Sequence, residues 1–166
     1  MIAVIATIVA STLSYATPLI FTSIGGTFSE RGGIVNVGLE GIMVMGAFSG
    51  VVFNLSFADQ FGKATPWLGC LVAGLVGLVY SCLHALATIN FRADHVVSGT
   101  VLNLIAPSLA VFLCRFLYNG NGQTPTIKVN FSTSSVPLLK DIPILGRIFF
   151  TNIPILAYVA IIFSFL

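Results

Sequence analysis

Charged residues are missing from five long stretches of this 166-residue chain, and their absence limits the possible folds more than any motif does. The stretches run Met1–Ser29, Gly41–Ala58, Ala64–Phe91, Val96–Cys114 and Ile148–Leu166. Each is near or above the roughly 20 apolar residues that carry a helix across about 30 Å of hydrocarbon. With 57% hydrophobic and 7% charged residues, the chain lies outside the range of soluble domains. The net charge of +2 is small and scattered, which excludes a nucleic-acid partner. The expected fold is all-α, a polytopic transmembrane helical bundle.

In hydrocarbon the backbone must satisfy its own hydrogen bonds, so irregular backbone survives only where protein or a wet cavity covers it. Five spans are expected, at about 2–24, 34–57, 66–91, 96–118 and 152–166, with a long loop at 119–151. Met1 is followed directly by apolar residues, without the basic start of a cleaved signal, so the first run reads as a span. Thr65 reads as the N-cap of the third span with Pro66 at its first helical position, and Asp94 as the cap of the fourth. Pro18 and Pro107 predict kinks. Residues 136–150, with Pro137, Pro143 and Gly146, read as a surface-lying or re-entrant loop. The last span reaches Leu166 without a charged stop, and the chain reads as incomplete.

The stretch Gly25–Gly50, GGTFSERGGIVNVGLEGIMVMGAFSG, holds every charge among the first 58 residues. Gly25 and Gly26 predict a broken or re-entrant segment over about 25–33, and Gly32, Gly33 and Gly38 extend the glycine-rich run. Gly46 and Gly50 form a G-x-x-x-G pair suited to close helix packing, as do Ala73 and Gly77. Asn36, Glu40, Met43, Ala47, Gly50 and Asn54 alternate in steps of four and three, which puts them on one helix face. Glu40 then sits about 9 Å from the start of a span at Ile34, where an ionisable group needs a partner or water. One reading makes it a structural carboxylate, paired with Arg31 or capping the broken helix; the other puts it on a permeation path. Asn36 and Asn103 suit either interhelical hydrogen bonds or the hydroxyls and base edges of a passing solute. Tyr80, His84 and Thr88 repeat every four residues and read first as a packing stripe, with His84 also a path candidate. Cys70, Cys82 and Cys114 have no C-x-x-C pairing and no His at ligand spacing, so no metal site is expected. Ser98 with His84 or His95 lacks the setting of a hydrolase motif, so no catalytic residue is expected.

The runs TPLIFTSIGGTFSERGGIVNVGLEGIMVMGAFSG and FRADHVVSGTVLNLIAPSLAVFL resemble the permease subunits of bacterial ABC importers of the nucleoside type. That group is related to the ribose and branched-chain amino-acid permeases, and Gly32–Gly38 reads as its nucleoside variant of the G-G-I motif. The resemblance implies a multi-pass protein of the cell membrane working by alternating access. It also implies a second permease subunit, a cytoplasmic ATP-binding cassette subunit and an extracellular substrate-binding lipoprotein. No cofactor would belong to this chain, since ATP and magnesium would bind the partner ATPase. On this resemblance the substrate path takes in Asn36, Glu40, His84 and Asn103. Charge bias alone puts the long loop in the cytoplasm; the resemblance puts it outside. An ion-coupled secondary transporter with broken midplane helices, or an ABC permease for a sugar or amino acid, are the alternative readings.

Overall fold

The computed structural model describes residues 2–127, 129–131, 133–134 and 153–165. Three helical runs among them are long and apolar enough to cross a membrane: Val4–Arg31, Leu39–Asn90 and His95–Leu117. The second is a hairpin, helix α2 (Leu39–Phe61) followed by α3 (Thr65–Ala85). The reversal falls at Gly62, whose φ of 50° is in the left-handed region that glycine enters without a Cβ penalty. Helix α1 covers Ile2–Arg31 and α4 covers His95–Leu117. The chain divides into two units, Gly26–Asn130 and the combination of Met1–Gly25 with Phe131–Leu166.

In the Gly26–Asn130 unit, small residues set the spacing of the helices. A Cβ on Gly46 would lie 3.1 Å from the Ala73 carbonyl oxygen, and one on Gly50 would lie 3.1 Å from that of Gly69. Gly77 meets Ile42, so partners on α3 run backwards against α2 and the pair is antiparallel. The expected G-x-x-x-G pair thus lies in the α2/α3 seam. Helix α4 runs parallel to α2, since Gly38 meets Gly99 and Gly41 meets Leu102. The core between the three helices is Met45, Tyr80, Leu102 and Ala106, with Ile42, Val44, Leu109 and Leu113 against it. Much of the outer surface is apolar, Leu71, Leu75, Leu78, Leu104 and Phe112 among it. That distribution suits a protein whose solvent is lipid.

The helix ends follow local chemistry. Asp94 accepts from the backbone N–H groups of Val96 and Val97 at 2.9 and 3.0 Å, making the expected cap of α4. Asp94→Ala is expected to lower stability by about 1 kcal/mol, read as a fall of a few degrees in the thermal midpoint of the purified full-length protein. At its far end α4 stops at Leu117; Asn119 and Gly120 have positive φ, and the Gly120 N–H returns to the Arg115 carbonyl. Thr65 is not the N-cap of α3: it is the first helical residue, and its hydroxyl turns back to donate to Gly62 O at 2.7 Å. Between α3 and α4, Leu86–Asn90 form a π-helical turn.

The expected break at Gly25 and Gly26 is displaced. Both lie inside α1, which continues to Arg31, and irregular backbone begins at Gly32. The reason is energetic: a helical glycine costs about 1 kcal/mol relative to alanine, less than exposing unpaired backbone polar groups to hydrocarbon. The second span accordingly starts at Leu39 rather than Ile34, and Asn36 precedes the helix instead of sharing its face.

In the other unit, Thr133–Ser134 (β1) pairs antiparallel with Ile153–Pro154 (β2), and α5 (Ile155–Ser164) follows, burying Ala157 and Ala160. The re-entrant reading of 136–150 lies outside the described residues.

Candidate functional site

The candidate site is built on the irregular segment 32–38, exposed along most of its length, half-buried at Asn36 and buried at Gly38. Gly38 meets Gly99 and Gly41 meets Leu102, four and seven residues beyond the start of α4 at His95. At 1.5 Å per residue these lie about 6 and 10 Å in from that end of the helix. Uncovered backbone at such a level would be costly, so the destination of each polar group matters.

Several groups in the segment have a destination among the described residues. The Gly32 and Gly33 N–H groups bond back to Ser29 O and Glu30 O at 3.0 and 2.9 Å, with Gly33 at φ 79°. Ser29 closes the loop twice: its carbonyl accepts from the Ile34 N–H, and its hydroxyl donates to Ile34 O at 2.9 Å. Asn36 accepts from the Gly38 N–H at 3.0 Å through its side-chain oxygen. Asn103, from α4, spans the rest. Its Nδ2 donates to Val37 O at 2.8 Å, and its Oδ1 accepts from the Gly41 N–H at 2.7 Å. One side chain thus fixes the last carbonyl of the break and the first turn of α2.

Helix α3 backs this arrangement. The stripe expected from the sequence is buried, with Tyr80 7%, His84 4% and Thr88 9% exposed. The Tyr80 hydroxyl donates to Leu102 O at 3.2 Å, and His84 Nδ1 lies 3.0 Å from Ser98 Oγ. Thr88 donates to His84 O at 2.9 Å. The His84–Ser98 contact ties α3 to α4. Ser98 sits in the first turn of α4 and its own N–H is committed to Asp94 O. His84 Nε2 and His95 Nδ1 are buried without hydrogen-bond partners, on rings whose centroids are 6.2 Å apart. Among the described residues no group of three or more His, Cys, Asp or Glu could hold a metal.

Of the four path candidates, the structure brings Asn36 and Asn103 to one place and engages both with backbone. His84 is buried at the α3/α4 contact. Glu40 differs: it is exposed in the first turn of α2, and no hydrogen bond or ion pair engages its carboxylate among the described residues, Arg31 included. The helix dipole favours an acid here by about 0.3–1 kcal/mol. Ala47 and Asn54 follow Glu40 at seven-residue steps on the same face of α2. Ala47 is exposed; Asn54 is buried, its Nδ2 donating to Val129 O at 3.0 Å and its Oδ1 without a partner among the described residues.

Three contributors escaped the sequence reading. Gly41 and Gly99 permit the close approach, yet each is an isolated glycine whose partner lies some 60 positions away. Ser29 looked like one polar residue among several and carried no signal.

A helical bundle with an apolar outer surface and three runs long enough to cross a membrane defines a multi-pass membrane protein. The chain belongs to the family of permease components of branched-chain amino acid transport systems, whose model matches residues 8–166. It is 58% identical over 159 residues to the nucleoside ABC transporter permease protein NupC of Lactococcus lactis subsp. cremoris, covering 96% of this chain and 50% of that one. It is 45% identical over 163 residues to the guanosine ABC transporter permease protein NupQ of Bacillus subtilis, covering 98% and 51%. A putative glucose ABC transporter permease protein of Haloferax volcanii is 29% identical over 146 residues, covering 86% and 41%. The chain thus spans about half the length of the curated relatives it matches most fully. No solved structure matches it.

Proposed function

We propose that this chain supplies part of the transmembrane permease of an ATP-driven importer for nucleosides. The 58% identity to a nucleoside permease over nearly the whole chain is the observation that carries this reading. The path passes the break, with Glu40 exposed to the solute and Asn36, Asn103 and His84 holding the surrounding backbone and helices in register. A second permease subunit completes the path. A cytoplasmic ATP-binding cassette subunit binds ATP and magnesium, and an extracellular lipoprotein delivers the substrate. The permease halves rock about a weakly binding centre, because a tight site would slow release. The chain itself holds no cofactor and performs no reaction.

The test is uptake of a labelled nucleoside by the full-length protein with its partner subunits, in cells lacking their own nucleoside uptake. Accumulation is expected to stop on ATP depletion and to survive collapse of the proton and sodium gradients. The reverse pattern indicates an ion-coupled carrier. Uptake of a sugar or amino acid in place of nucleosides overturns the substrate class.

A further inference from the structure

We propose that Glu40 is the specificity-determining residue of this path, its carboxylate accepting from the adjacent imino and amino groups of guanine-type bases. The assignment rests on the nucleoside reading above and adds which base the path favours.

A carboxylate is an acceptor-only group with two oxygens, and it matches two hydrogen-bond donors set side by side. Guanine presents such a pair in its N1–H and exocyclic amino group. Adenine sets an acceptor next to its amino group, hypoxanthine has one donor, and uracil flanks its N3–H with two carbonyl oxygens. The protein leaves this acceptor available. The Asn103 amide is spent on Val37 O and the Gly41 N–H, and the Asn36 oxygen on the Gly38 N–H. The clamp that uses those groups also fixes the first turn of α2, so the carboxylate projects from immobile backbone. Small, exposed Ala47 follows on the same face. Helix α2 contains no basic residue. An anionic acceptor with no cation on its own helix draws donor-bearing neutral bases and repels phosphates, which selects nucleosides over nucleotides.

The test compares guanosine and adenosine uptake by the full-length permease in its assembled importer. Both substrates are supplied at concentrations that saturate delivery, so that the rate reports the permease step. Uptake is normalised to permease in the membrane. Glu40→Gln and Glu40→Ala both remove the carboxylate, and either is expected to cut the guanosine-over-adenosine ratio by about tenfold, within the range set by one bidentate contact; Glu40→Asp, which keeps the carboxylate, is expected to retain most of it. A wild-type ratio near one overturns the assignment, as does an equal loss for both substrates in the variants, and either result leaves the nucleoside reading standing. A wild-type assembly that carries no nucleoside overturns both.

Discussion

Gly99→Val is expected to leave little permease in the membrane. A Cβ at Gly99 would lie 2.7 Å from the Gly38 nitrogen, 3.0 Å from Val37 Cβ and 3.1 Å from the Val37 carbonyl carbon. Two of those neighbours are backbone and cannot rotate away. Relief therefore requires moving the break, which Asn103 holds from the same helix, or separating α2 from α4 along the contact where a Cβ on Gly41 would lie 2.7 Å from Leu102 O. Alanine alone is expected to reach the upper part of the roughly 1–3 kcal/mol typical of overpacking, and valine to exceed it. Gly25→Ala is the control, because a Cβ there meets nothing within 4 Å. It also exchanges glycine for the best helix former, worth up to about 1 kcal/mol. Membrane abundance and the thermal aggregation midpoint of the full-length protein report the difference. A Gly99→Ala variant as stable as Gly25→Ala would mean that the two backbones do not touch.

The contrast between these glycines explains what the sequence disclosed. The helices were legible because lipid imposes long charge-free runs. The α2/α3 seam was legible because Gly46 and Gly50 repeat within one helix, against Gly69 and Ala73 just across a short turn. The Tyr80, His84 and Thr88 stripe and the Asp94 cap were legible for the same reason, since their signals are local. The break was legible in kind and misplaced in position. Gly25-Gly26 and Gly32-Gly33 look alike as dipeptides, but only the latter follows the polar Ser29-Glu30-Arg31 turn that closes the loop on itself. The α2/α4 contact was not legible, because neither Gly41 nor Gly99 carries a mark of the other. Asn103 was singled out for its amide, yet its partners are main-chain groups that any sequence would supply.

That last point makes Asn103 the most informative position to change. Asn103→Leu is close in size and removes both hydrogen bonds, leaving Val37 O and the Gly41 N–H to water or to nothing. Side-chain hydrogen bonds between membrane helices average only about 0.6 kcal/mol, because partners are also found in the unfolded-in-membrane state. Here one partner is a carbonyl of the non-helical segment and the other an N–H in the first turn of α2 that no helical carbonyl can reach, and an orphaned buried group costs about 1–3 kcal/mol. The expected loss is thus roughly 2–4 kcal/mol, between these bounds. Asn103→Asp keeps the acceptor for Gly41 but sets an oxygen against Val37 O, so a smaller loss is expected. Transport should fall with stability, and the guanosine-over-adenosine ratio should fall with it, because the break shifts as a unit and carries Glu40 with it. Thermal midpoint and uptake of several nucleosides, measured on the same full-length variants, separate this from direct contact with the solute. An Asn103→Leu protein with an unchanged midpoint and a loss confined to particular bases would place the amide on the substrate, and the clamp would no longer account for how the break is held open.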